Sequence, residues 1–237
     1  MADIAGRIGK YCRQANRRFA ALGCAMPFAH VRHTPLENVR DNYLTIVTGI
    51  CGLFGGTGSA VVLRRGVAVT NAHVAMASRR MSAFSSTGSM IAVEVIACSP
   101  ALDLAVLGVP ADFGGWAPLG RAVAAEPVWA MGTTDGRSAP TAAGLIEHTS
   151  VWAHTDGALH SGLMYSAPAG PGYSGGPLVN GEGRIVGITE GVFTRFFDDT
   201  VQARYGGRTL LFAYRVEDVL AEVDRLLAGR ARPESAA

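Results

Sequence analysis

Apolar residues in the middle of the chain come in short runs broken by glycine and polar pairs, a pattern that predicts strands rather than helices. A first group covers residues 43–51, 59–63, 67–70, 90–98 and 102–109, with Arg64-Arg65-Gly66 as a hairpin turn. Residues 110–126, which carry Gly114-Gly115 and Pro118, read as a connector. A second group follows at 127–131, 142–150, 163–166, 177–179, 185–190 and 210–214. Helical spacing is confined to the two ends. Ile4, Ile8, Tyr11, Ala15, Phe19 and Leu22 step by three and four through residues 1–24, and Val216, Val219, Leu220, Val223, Leu226 and Leu227 do the same over 216–228, where Gly229 stops the helix. The expectation is an all-β protein with one helix at each end.

One stretch tests that reading. Residues 43–63 are uncharged for 21 positions, long enough to raise a membrane span. Five glycines and several β-branched residues divide the stretch into two strand-like pieces, so the span is rejected. Composition agrees: of 237 residues 49% are hydrophobic, 17% are charged and 30 are glycine, which suits a large core closed by many tight turns. A net charge of +2 gives no reason to expect nucleic acid as a partner. Cys12, Cys24, Cys51 and Cys98 show no metal spacing; free thiols are expected, with a Cys51–Cys98 disulfide as the alternative. His148, His154 and His160 recur every six residues, but no cysteine or acidic cluster completes a metal site, so neither metal nor cofactor is expected.

The candidate chemistry centres on Gly170-Pro171-Gly172-Tyr173-Ser174-Gly175-Gly176-Pro177-Leu178, where a serine sits among residues suited to unusual backbone conformation. A serine hydroxyl is a poor nucleophile unless a base activates it. His73 follows the strand-like 67–70 directly, and Asp103 is a lone carboxylate entering the apolar run 104–107, costly to bury unless an imidazole N–H satisfies it.

The blocks Thr70-Asn71-Ala72-His73-Val74, Asp103-Leu104-Ala105-Val106-Leu107 and Gly172-Tyr173-Ser174-Gly175-Gly176-Pro177-Leu178-Val179-Asn180 resemble the three signature blocks of trypsin-like serine proteases, most nearly the bacterial HtrA (Deg) branch. The similarity covers residues 43–227. It implies a chymotrypsin-like fold of two antiparallel six-stranded β-barrels: residues 1–41 as N-terminal helix and connector, 42–109 as the first barrel, 110–126 as connector, 127–214 as the second barrel, and 215–237 as C-terminal helix and tail. It also implies a serine endopeptidase with His73, Asp103 and Ser174 as triad and the amides of Gly172 and Ser174 as oxyanion hole. Pro168, Ile188, Thr189, Glu190 and Gly191 would line the substrate pocket, whose uncharged base suits a small or medium aliphatic residue at the cleaved position.

The partner implied is a protein or peptide substrate, and the sequence leaves oligomeric state open. A catalytically silent module that binds extended peptides is the alternative, through a collapsed oxyanion loop at Tyr173, which replaces the asparagine usual in the HtrA branch. An esterase is disfavoured because its serine would precede its aspartate and histidine. No secretory signal is recognised and no PDZ domain follows the closing helix, so a cytoplasmic protease domain alone is expected.

The N-terminal helix has Arg7, Lys10, Arg13, Arg17 and Arg18 on its second face, so it could lie on anionic lipid; docking on the barrels is favoured. Deleting residues 1–24 is expected to lower the thermal midpoint or cause aggregation, and the intact chain is expected not to sediment with anionic vesicles. An equally stable, monodisperse truncation would overturn docking.

Overall fold

The computed structural model describes residues 36–49, 56–77, 81–133, 141–155, 158–192 and 209–230. Contacts divide the chain between Thr34 and Pro35, and every described residue belongs to the second unit. The helix expected over residues 1–24, and Cys12, Cys24 and Cys51, lie outside the described residues. Cys98 is a half-buried free thiol.

A four-residue helix, α1 (Glu37–Arg40), opens the unit and buries Leu36 and Val39, where the sequence predicts only connector. Seven strands follow: β1 (Tyr43–Thr48), β2 (Thr57–Arg64), β3 (Val67–Thr70), β4 (Met81–Ser85), β5 (Met90–Ile91), β6 (Glu94–Cys98) and β7 (Ala105–Gly108). They form one antiparallel sheet in the order β5-β4-β1-β2-β3-β7-β6. The second sheet contains β8 (Pro127–Met131), β9 (Thr141–Thr155), β10 (Ala158–Ser166), β11 (Pro177–Asn180), β12 (Ile185–Val192) and β13 (Leu210–Arg215), and it closes into a barrel.

The expected six-stranded first barrel is therefore corrected: the first sheet has seven strands and ends on β5 and β6 without closing. The physical reason lies in the apolar run at 90–98. Ala92 and Val93 interrupt it, leaving β5 only two residues, paired as Ala83↔Ile91 and Phe84↔Met90, while a register shift between Val95 and Ala97 distorts β6. Met90 and Val95 point to solvent, so little apolar burial rewards closure. β4 escapes sequence prediction because only Ala83 of Met-Ser-Ala-Phe-Ser is fully buried.

Alternation explains the long uncharged stretch. Leu44, Ile46, Ala60 and Val62 point into a core inside the first sheet, with Ala68, Val74, Ala83 and Leu107. Their neighbours Tyr43, Val61 and Leu63 face the other way, into a larger core shared with Met131, Val179, Ile188, Phe212 and Tyr214 of the barrel. The barrel interior is a third cluster that includes Val128, Ile146, Leu163, Tyr165, Leu178, Val186 and Leu211. Strands buried on both faces need no polar alternation.

The closing helix α3 (Val216–Arg230) runs past the expected stop at Gly229 and buries Val216, Val219 and Val223 in the shared core. A glycine in a last turn weakens a helix by only about 1 kcal/mol, which docking readily offsets. Arg215 Nε lies 2.7 Å from Asp218 in the first turn, and Arg64 reaches Asp224 at 2.8 Å. Arg225, hydrogen-bonded to Glu222, holds that carboxyl below its ordinary range, and Ser99 also donates to it. No helix of the described residues is long and apolar enough to cross a membrane.

Val219→Ala, which removes buried volume from the core shared by both sheets, is expected to lower stability by about 1–3 kcal/mol with an unchanged denaturant slope. Urea unfolding measures this. A changed slope would mean that α3 comes off as a separate unit.

Candidate active site

β3 ends at Thr70, whose hydroxyl donates to the Ser59 carbonyl at 2.7 Å. Asn71 is extended and opens a one-turn helix, α2 (Ala72–Met76), that carries His73. An asparagine there would ordinarily cap the helix. Instead its Nδ2 donates to the Asp103 carbonyl at 2.8 Å, and its buried Oδ1 has no partner.

Asp103 enters the site just before β7, and its carboxylate is fully engaged. Oδ1 accepts the His73 amide at 2.9 Å, and Oδ2 lies 2.5 Å from His73 Nδ1. The Asp103 amide in turn donates to the Tyr214 hydroxyl at 3.2 Å, a bond that joins the first sheet to β13 of the barrel. Exposure is uneven: the aspartate side chain is 1% accessible and the imidazole 44%. A buried carboxylate beside Nδ1 fixes the proton there and leaves Nε2 as the basic nitrogen. Asp103 and burial together push the nearby Cys98 thiol up, burial being the larger cause.

The serine loop is tied to β2, the strand paired with β3. The Ser174 carbonyl accepts the Ser59 amide at 2.8 Å, and Ser59 Oγ donates to the Gly172 carbonyl, also at 2.8 Å. Gly175, at φ 82°, donates to the Thr189 carbonyl, and a Cβ there would lie 2.1 Å from Ser59 O and 2.3 Å from Thr70 Oγ1. Only glycine lets the serine loop press this closely on the strand leading to His73. Gly172 is at φ 94°, and its Cβ would fall 1.5 Å from the Thr133 carbonyl oxygen. Among the described residues, the amides of Gly172 and Ser174 donate to no protein acceptor.

Tyr173 anchors this loop in the barrel. Its ring is buried in the barrel core against Gly132, where a Cβ would come within 2.3 Å of the ring, and burial pushes its hydroxyl pKa up. The Tyr173 amide donates to Gly170 O, and its carbonyl accepts from Gly176.

The expected pocket residues separate. Pro168 is exposed ahead of the loop, and Ile188 lies wholly in the shared core. The Thr189 hydroxyl lies 2.9 Å from the Tyr165 hydroxyl inside the barrel. Glu190 and Gly191 are half-buried on β12. Donor atoms of Glu190, His73 and Asp103 all lie within 4.8 Å of one another, a meeting that sequence spacing does not signal. Ser59, Asn71, Gly132 and Tyr214 also escaped sequence reasoning. Only the asparagine carried a signal, as a polar residue beside the candidate histidine.

An antiparallel sheet packed on an antiparallel barrel, with a histidine–aspartate pair on one and a glycine-framed serine on the other, is a chymotrypsin-like arrangement. The trypsin-like peptidase domain model matches residues 56–188, and the chain belongs to that family. It is 33% identical over 150 residues to the magnetosome formation protease MamE of Paramagnetospirillum magneticum, covering 58% of this chain and 20% of that protein. It is 27% identical over 184 residues to the serine protease Do-like HtrA of Lactococcus lactis subsp. cremoris, covering 71% and 44%. The chain thus spans less than half the length of these relatives. The fold matches the serine endoprotease from Yersinia pestis (TM-score 0.66, 19% identity, 82% of this chain and 65% of that one). It also matches the inactive form of Rv3671c from M. tuberculosis (TM-score 0.68, 17% identity, 86% and 94%).

Gly172→Ala is expected to destabilise the chain and to cut fluorophosphonate labelling at least a hundredfold, since the added Cβ would collide with Thr133 O. Ala at Gly170, whose Cβ position is open, is the control. Equal labelling of both variants would show that the loop does not depend on Gly172.

Proposed function

We propose that this chain is a serine endopeptidase acting through His73, Asp103 and Ser174. The observation that carries the reading is the solvent-facing imidazole held at 2.5 Å by a buried carboxylate, beside a first sheet whose strand β2 is hydrogen-bonded through the Ser59 amide to the Ser174 carbonyl. In the proposed reaction His73 Nε2 takes the Ser174 proton as Oγ attacks a peptide carbonyl. Asp103 keeps the proton on Nδ1 and stabilises the imidazolium. That imidazolium then protonates the leaving amine as the peptide C–N bond breaks, giving an acyl-enzyme that water hydrolyses with His73 again as base.

The amides of Gly172 and Ser174 are the oxyanion donors in this reading, which their lack of protein acceptors among the described residues supports. The cleaved position takes a small or medium aliphatic residue, beside a β12 segment whose side chains Ile188 and Thr189 are held inside the body. Protein or peptide chains are the substrates.

Ser174→Ala is expected to abolish peptide hydrolysis while leaving the thermal midpoint nearly unchanged, and His73→Ala to abolish hydrolysis and lower the midpoint, because the buried Asp103 carboxylate loses its ring partner. Asp103→Asn is expected to lower turnover by about four orders of magnitude through the wrong imidazole tautomer. Labelling of the wild type, but not of Ser174→Ala, by a fluorophosphonate reads the nucleophile directly. Hydrolysis that survives in Ser174→Ala would sink the triad.

A further inference from the structure

β12 skips one residue against β13. Its pairing with β13 runs Ile188↔Tyr214 and Thr189↔Ala213, then resumes at Gly191↔Phe212, so Glu190 is the extra residue of a β-bulge. A bulge leaves one residue outside the ladder and re-aims its side chain. Here the flanking Thr189 turns into the barrel to meet Tyr165, while the Glu190 carboxylate comes within 4.8 Å of both a His73 ring nitrogen and an Asp103 oxygen. One imidazole therefore has two carboxylates around it: a buried one hydrogen-bonded at Nδ1, and a half-buried one delivered from the opposite sheet.

We propose that Glu190 is a second positioning carboxylate for the base: it raises the basicity of the His73 imidazole and stabilises the imidazolium formed while Ser174 is acylated. The inference rests on the triad reading above and assigns that site a further residue. An opposite charge at this separation favours the charged imidazole, and partial exposure moderates the effect to about one pH unit. Among the described residues, Cys98 on β6, a thiol pushed up by burial, and Tyr214 on β13, a phenol, lie beside Asp103. Neither type carries charge near neutral pH.

The sign follows from the base being active only when neutral. Two carboxylates raise the His73 midpoint, so reactivity in the wild type appears only as pH climbs through that raised value. Removing the Glu190 charge lowers the midpoint and makes the serine reactive at lower pH. It also lowers the high-pH plateau, because the imidazolium-like transition state loses a stabilising charge.

The test uses the full chain and two readouts. His73 is titrated by NMR through its Cε1 proton in a Ser174→Ala background, with and without Glu190→Gln. The second-order rate of fluorophosphonate labelling is followed against pH in chains that retain Ser174. The expected result is a His73 midpoint lower by about one unit in Glu190→Gln, with the acid limb of labelling moved equally and the plateau reduced about fivefold to tenfold. Glu190→Asp, which keeps the charge, should retain most of the wild-type midpoint. Glu190→Ser is the neutral substitute should the glutamine variant not fold. A neutral variant whose His73 midpoint stays within roughly 0.2 unit of wild type would overturn the proposal. Failure of the wild type to label would instead refute the protease reading, while the NMR titration would still decide the role of Glu190.

Discussion

The buried carboxylate of Asp103 is the constraint on which the site depends. An ionised group taken out of water must be matched by donors, and this one is matched by the His73 amide and ring. Its backbone is held as well, by Asn71 on one side and Tyr214 on the other. Three elements thereby meet at one residue: the strand-to-helix turn after β3, the approach to β7, and β13 of the barrel. The aspartate cannot move without leaving a charge unpaired in a dry setting, so the imidazole it holds stays in one orientation.

The serine side is built on a different principle. Its loop is positioned by backbone atoms and by the absence of side chains, with Gly172, Gly175 and Gly176 allowing approaches to Thr133, Ser59 and Met131 that any Cβ would block. Tyr173 supplies the anchor, its ring pinned in the barrel core against Gly132. The loop is fixed at its centre by a buried aromatic and at its flanks by Ser59 and Thr189, while the Gly172 and Ser174 amides meet no protein acceptor among the described residues. The residue that departs from the HtrA pattern is thus the loop's anchor in the barrel.

Both halves depend on the core between the sheets. Tyr43, Val61, Val69 and Leu104 from the first sheet meet Met131, Ile188, Phe212 and Tyr214 from the barrel there, and α3 seals it with Val216, Val219 and Val223. The open first sheet can tolerate ragged edges at β5 and β6 because its face toward the barrel is already covered. Closure matters more for the second sheet, whose interior holds the serine loop's tyrosine.

The sequence by itself determined the strand groups and the closing helix and marked His73, Asp103 and Ser174 as candidates, because apolar runs, turn glycines and lone polar residues in apolar settings are local signals. It misjudged closure of the first sheet and passed over β4, since closure depends on edge lengths and β4 has one fully buried residue, an alanine, in a short mixed run. Tertiary structure alone decided which groups meet. Asn71 leaves its helix cap for a carbonyl 32 residues away, and Tyr214 reaches the Asp103 amide across 111. Glu190 comes to the imidazole because of the register shift between β12 and β13. Hydrophobic periodicity encodes which residues are buried; the register between distant strands, which fixes their neighbours, emerges only when the sheets pack.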